Sequence, residues 1–307
     1  MVFRLRAIAI GLAAVASLLA MGCEPTPPVS RDSPHPSPQR VVSLIPAATE
    51  ILFAIGAGDR VVGRTRWGTH PVGALDVPDV GDGVRPALEA ILAQTPDLVI
   101  LFAGADTEGA RARLGELEVP TLSLRHNTVE DLAHNVTRIG DAVGCRKGAR
   151  RLIEQIRQDL DAVSRATAGV PRTRVYYDVW ADPPMTVGRG SFLDSLISIA
   201  GGINVFGDLS GAAPQIGLEA IVRRNPDLIV YPVSKIQGNA TTSPTERPGW
   251  SRVPAVDRGR VVRVDADLLG RLGPRLGDAA LELAHAMRPE IRLPAPRGAP
   301  PREQCGQ

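Results

Sequence analysis

Rings are scarce in this chain: Phe, Trp and Tyr together make 4% of its 307 residues, so the position of each one carries information. An excess of either charge is missing too. Thirty-five basic residues face 33 acidic ones, and no strong field points to nucleic acid. The short motifs of common catalytic sites are also absent. There is no G-x-S-x-G elbow and no P-loop, and Gly56-Ala57-Gly58 and Gly81-Asp82-Gly83 are too short to cradle a phosphate. Cys145 falls at a helix start with no histidine paired to it. A secreted α/β enzyme, the competing reading from another class, is left without catalytic residues, and the chain is expected not to be an enzyme.

No apolar run is long enough for a comfortable membrane span. The longest, Ala7 to Ala20, follows Arg4 and Arg6 and ends in small residues before Gly22-Cys23. That layout is an export signal. From Glu24 to Pro38 come six prolines with serines and little apolar content, the composition of an extended tether. The segment after Pro289 is again Pro-rich and is expected to be disordered. Export places Cys145 and Cys305 in an oxidising compartment, where they can pair or stay free.

Between these ends the chain alternates. "RVVSLIP" reads as a buried strand, "PAATEILFAIGAG" as a helix with Pro46 at its start and Gly56 or Gly58 at its end, and "DRVVGRT" as a strand. "RPALEAILAQTPDLVILF" and "ARARLGELEVPTLSL" each give a helix and then a strand. Such an order makes an α/β lobe around a mainly parallel sheet. A second lobe begins at "RVYYDVW" and runs through "FLDSLISIAGG" and "GRVVRVD" to a closing helix, "PRLGDAALELAHAM". One stretch occurs twice: "LEAILAQTPDLVIL" from Leu88 returns as "LEAIVRRNPDLIVY" from Leu218, with a glutamate second in each copy, Glu89 and Glu219. Joining the lobes, "RKGARRLIEQIRQDLDAVSRA" carries Ala149, Leu152, Ile153, Ile156, Leu160 and Val163 on one helical face. About 20 residues of helix span roughly 30 Å, so a single stiff strut connects two similar lobes.

These stretches carry a family likeness. "VVSLIPAATEILFAIGAGDRVVG", "LEAILAQTPDLVI", "DPPMTVG…AGGINVF", "PQIGLEAI" and "RVVRVDADLLGRLGPRL" resemble the helical-backbone class of ABC-transporter substrate-binding proteins, from about Arg40 to Met287. That class serves vitamin B12, ferric siderophores and haem. The spacing around Pro183-Pro184 and the Asp267–Arg275 segment are most like the vitamin B12 receptors. The resemblance implies two Rossmann-like α/β lobes with a ligand cleft between them, no intrinsic cofactor, and cobalamin, a ferric siderophore or haem as transported ligand. It further implies a monomer partnered by an ABC permease dimer with its ATPase subunits. Cys23 matches the lipidated cysteine of a bacterial lipoprotein signal, with Ala20 where leucine is usual, and implies an anchored protein facing the periplasm or the extracellular side. The expected organisation is a signal over 1–23, a tether over 24–39, an N-terminal lobe over 40–144, the joining helix over 145–169, a C-terminal lobe over 170–290 and a tail over 291–307.

In open α/β sheets ligands bind beyond the carboxyl ends of the strands. Trp67, Phe102 and Trp180 fall at predicted strand ends, and flat walls there suit a corrin or porphyrin. All three match aromatic ligand contacts of the B12 receptors, as Asp267, Arg271 and, more weakly, Asp82 match polar ones. A plain surface pair spaced i, i+4 is the other reading of Asp267 and Arg271, and packing is the better reading of Trp250. Tryptophans of the receptors fall here on Gly83, near Ala212 or Ala213, and on Leu268. Arg64, Arg66, Arg85 and Arg189 are expected near the rim, where guanidiniums favour an anionic ligand. Of the histidines, His35 is in the tether, His126, His134 and His285 fall on helices or their edges, and only His70 is near the cleft. One imidazole does not make a metal site. Glu89 and Glu219 align with the pair of glutamates, one per lobe, that docks into permease arginines.

Overall fold

The computed structural model describes residues 37–234, 242–295 and 305. Cys23, the export signal, residues 24–36 of the tether and residues 296–304 of the tail lie outside the described residues.

The first lobe winds β1 (Val41–Ser43), α1 (Pro46–Ala54), β2 (Val61–Arg64), α2 (Leu88–Leu92), β3 (Leu98–Phe102), α3 (Ala105–Glu116), β4 (Thr121–Leu124) and α4 (Val129–Ala142). Then comes the strut, α5 (Arg146–Thr167). The second lobe holds β5 (Thr173–Tyr177), the short pair β6 (Trp180–Ala181) and β7 (Pro184–Met185), α6 (Phe192–Ile199), β8 (Gly202–Asn204), α7 (Leu218–Arg224), β9 (Leu228–Val233), α8 (Pro254–Asp257), β10 (Val261–Asp265), α9 (Ala266–Leu269) and α10 (Leu276–Met287).

Both main sheets are parallel, in the orders β2-β1-β3-β4 and β8-β5-β9-β10. Counted within each lobe, the two orders are the same. The repeated stretch therefore has a structural meaning: α2 with β3 and α7 with β9 are equivalent helix–strand units, each supplying the third strand of its sheet. Pro at the first helical position starts α1, where its missing N–H is no loss. A reciprocal Thr128–Asp131 capping box starts α4.

Alternate residues of each strand enter different cores. Val41 and Ile100 face an apolar cluster that runs through Leu152, Ile156 and Val163 of α5 to Val175, Val230 and Leu283 of the second lobe. Val42, Val99 and Leu101 point the other way, into a core private to the first lobe. The corresponding core of the second lobe gathers Tyr176, Ile229 and Trp250, so Trp250 is a packing residue. Of the expected α5 face, Ala149, Leu152, Ile156, Leu160 and Val163 are buried, while Ile153 is half-buried. The strut packs against α4 on one side and α10 on the other, so it is built into both lobes. Cys145, at the N-cap of α5, is disulfide-bonded to Cys305 with Cα atoms 5.3 Å apart. Among the described residues no helix is long and apolar enough to cross a membrane.

One strand ends earlier than its sequence suggests. "RVYYDVW" reads as a single run to Trp180, but β5 stops at Tyr177. Asp178 is buried, ion-paired with Arg247 at 2.5 Å and hydrogen-bonded by the Tyr176 hydroxyl at 2.9 Å. Beyond it the chain turns away, and Trp180 pairs with Met185 in an antiparallel hairpin.

Candidate functional site

A cavity of about 490 Å³ opens between the lobes. The first lobe lines it from the carboxyl end of every one of its four strands. Leu44 to Ala47 follow β1, Thr65 and Trp67 follow β2, Phe102 ends β3, and His126 follows β4. Asp82, Gly83 and Val84 come from the loop ahead of α2. The second lobe contributes Ala266, Asp267, Gly270, Arg271 and Leu272, in and after the helix that follows β10. Parallel winding sends every strand's carboxyl end to one edge, so two such lobes face each other with loops rather than strands.

Five of the six expected ligand residues meet here: Trp67, Phe102, Asp82, Asp267 and Arg271. Trp180 does not. It is 58% exposed on its hairpin and donates its indole N–H to the Asp182 carbonyl at 2.9 Å. Gly83 lines the wall where the B12 receptors carry a tryptophan, and a Cβ there would overlap the Leu44 carbonyl oxygen. The loop lies against the β1–α1 connection too closely for any side chain. Leu268 is taken up by the core, and Ala212 and Ala213 are not among the cavity's residues.

The four arginines expected near the rim do not line the cavity. Arg64 is buried, with Nε bonded to the Ala74 carbonyl at 2.7 Å and Nη1 to the Thr65 carbonyl at 3.0 Å. Arg66, Arg85 and Arg189 are exposed and do not line the cavity. His126 sits in the loop after β4 rather than on a helix, and its ring lies 4.6 Å from that of Phe102, tilted by 44°. Desolvation holds its pKa below the ordinary histidine value, so it is neutral at pH 7. His70 is not among the lining residues, and desolvation first, and then the charge of Arg275, hold its pKa down as well. Among the described residues no group of three or more His, Cys, Asp or Glu could hold a metal ion.

Asp267 and Arg271 are not a surface pair. The Asp267 carboxylate accepts from the Ser234 hydroxyl at 3.1 Å and stands 3.8 Å from the Arg271 guanidinium. Arg271 is held chiefly by the other lobe: Nη1 donates to Glu50 Oε1 at 3.1 Å and Nη2 to the Trp67 carbonyl at 2.7 Å. Arg275 grips the same acid, Nε to Oε2 at 2.9 Å and Nη2 to Oε1 at 2.7 Å. Glu50 is thus 3% exposed on α1, with both carboxylate oxygens engaged across the lobe boundary. Sequence reading missed it. The available signal was an acid in the otherwise uncharged helix "PAATEILFA", since burying a charge requires a partner. The Thr65 hydroxyl, buried in this wall, has no hydrogen-bond partner.

Away from the cavity, Glu89 and Glu219 each occupy the second position of their helices and are exposed. Glu219 lies 3.6 Å from the exposed Arg252, a contact worth about 0–1 kcal/mol.

Known proteins share this fold. The chain is 32% identical over 260 residues to YvrC of Bacillus subtilis, an uncharacterized ABC transporter substrate-binding lipoprotein, covering 82% of this chain and 81% of that one. Its fold superposes on the apo periplasmic haem-binding protein RhuT from Roseiflexus with a TM-score of 0.73 at 26% identity, covering 81% and 97%. The vitamin B12-binding protein BtuF of Vibrio cholerae gives 0.69 at 25% identity, covering 82% and 97%. These relatives are transport proteins rather than enzymes. The family model described as periplasmic binding protein matches residues 41–268, and the chain belongs to that family, as a substrate-binding protein of an ABC transporter.

Proposed function

We propose that this protein captures cobalamin or a related corrinoid in the interlobe cavity and delivers it to its permease. One observation carries the reading: Trp67, Phe102, Asp82, Asp267 and Arg271, implied by the likeness to the B12 receptors, come together from a span of 205 residues to line one cavity. Trp67 and Phe102 supply flat apolar contact to a macrocycle. Asp267 and Asp82 supply acceptors for the amide arms around a corrin. Haem is the second reading, favoured by His126, whose neutral imidazole lines the cavity. A ferric siderophore is the third.

Delivery uses Glu89 and Glu219. Two exposed acids at equivalent places in two equivalent lobes match a transporter with two similar subunits. Charges at such an interface set orientation and encounter rate more than affinity. A lipid on Cys23, followed by the Pro-rich tether, keeps the protein at the membrane, and the lipoprotein name of YvrC supports this. Wild-type protein then partitions with membranes, and the Cys23→Ser variant does not.

Calorimetric titration with cyanocobalamin, a ferric siderophore and haem tests the ligand. Stoichiometric, non-catalytic retention of the corrinoid with quenching of tryptophan fluorescence is expected. Tight binding of the siderophore or haem alone would replace the corrinoid and leave the receptor standing.

A further inference from the structure

We infer that Glu50 is a specificity-determining residue: by taking up Arg271 of the cavity wall together with Arg275, it tunes the cleft for neutral or cationic, donor-rich ligands and against carboxylates. The inference rests on the binding role proposed above and concerns the charge of what is bound.

An arginine in a ligand cavity ordinarily signals an anion, because its planar fork pairs with carboxylate or phosphate. Arg271 is the one arginine among the described residues lining this cavity. Its fork is already spent. Nη1 is on Glu50, Nη2 is on the Trp67 carbonyl, and the Asp267 carboxylate stands 3.8 Å away. Arg275 gives Nε and Nη2 to the same glutamate, while Asp265 and Asp278 act on it electrostatically. Arg64 is occupied by backbone carbonyls.

Among the described residues that line the cavity, two carboxylates, Asp82 and Asp267, stand against one guanidinium, Arg271, whose charge Glu50 already takes up. Neutral His126 adds nothing to offset the two carboxylates. Asp267 receives one hydroxyl from Ser234, and a carboxylate can accept several further donors. An incoming carboxylate would lose its water against like charge and find the one guanidinium among the described lining residues, Arg271, already engaged. An amide N–H or an ammonium would find an acceptor waiting. Glu50 decides this from outside the cavity, since without its charge Arg271 would lose its closest carboxylate partner and gain pull on a ligand anion.

The test uses probes matched in shape and opposed in charge. Dicyanocobinamide carries amide arms and cobyrinic acid carries carboxylates on the same ring. A cationic ferric trihydroxamate and a trianionic ferric tris-catecholate make a second pair. Wild-type protein should bind the uncharged or cationic member of a pair at least about tenfold more tightly, equivalent to about 1.4 kcal/mol. Glu50→Gln, with folding checked by circular dichroism, should shrink or invert that ratio, a change that a merely structural role would not produce. Should Glu50→Gln fail to fold, Asp267→Asn must shrink the ratio instead, since it removes charge from the wall at nearly constant shape. An anionic probe binding wild type as tightly as its partner overturns the inference and leaves the receptor intact, as does a ratio unmoved by Asp267→Asn. Absence of binding by all four probes removes both.

Discussion

Glu50 and the pair Glu89 and Glu219 are the same residue type on helices, in opposite surroundings. Glu50 is buried between lobes with two arginines on its carboxylate. Glu89 and Glu219 stand in solvent, and the latter has only the exposed Arg252 near it. A buried carboxylate is bound up with the fold, because removing either partner strands a charge in a poorly solvated place. An exposed acid at a helix start adds about 0.3–1 kcal/mol through the dipole and stays available to something that arrives. Charge inside therefore acts on stability and ligand choice, and charge outside acts on partners.

The largest effect expected from breaking this contrast is on Glu50. Glu50→Ala should lower stability by about 3–5 kcal/mol, the range for breaking a buried ion pair, read by urea denaturation. A loss below 1 kcal/mol would mean that water reaches Arg271 and Arg275 freely.

The docking pair comes next. Glu89→Ala with Glu219→Ala should leave folding and ligand affinity intact. It should weaken the permease complex by up to about 2–5 kcal/mol, abolishing uptake and permease-stimulated ATP hydrolysis, and lysine at both sites should be worse. Normal uptake by the double variant would reduce the two acids to helix-start residues.

A smaller effect separates the two tryptophans. Trp67→Ala should cost about 1–3 kcal/mol in ligand affinity, as for other contact aromatics. Trp180, outside the cavity and 58% exposed, should cost clearly less when truncated. Equal losses by calorimetry would place the hairpin against the ligand.

The smallest is a pH effect at His70. Its folded pKa lies below the ordinary 6.5 because of desolvation and then Arg275, so the unfolded chain binds the proton more readily. The associated stability is present above pH 6.5 and is lost as pH falls through the depressed folded pKa. His70→Gln should flatten the decline in stability between about pH 7 and 5. An unchanged slope would assign that decline to other groups.

Much of this was legible along the chain. Apolar alternation, Pro46 and the Pro-Asp turns mark elements whose hydrogen bonds and faces are local, so periodicity places them. The repeat from Leu88 and Leu218 marks equivalent units because both copies solve the same local packing problem, a short helix leading into a buried strand. Trp67 and Phe102 were found because parallel winding puts strand ends at one edge. Trp180 falls outside the cavity for a reason that no local pattern displays: the strand ends where Asp178 buries its charge against Arg247, 69 residues away. His126, read onto a helix edge, lies in a loop that reaches the cavity.

The sequence alone thus determined two α/β lobes, the amphipathic strut between them and most of the aromatic wall, since each depends on residues a few positions apart. Tertiary structure alone decided the Cys145–Cys305 pairing across 160 residues and the capture of Arg271 by Glu50 across 221. A side chain's periodicity says which face it takes. Its charge partner depends on how two separately wound lobes are set against each other, and that is fixed by the packing of α5 against both.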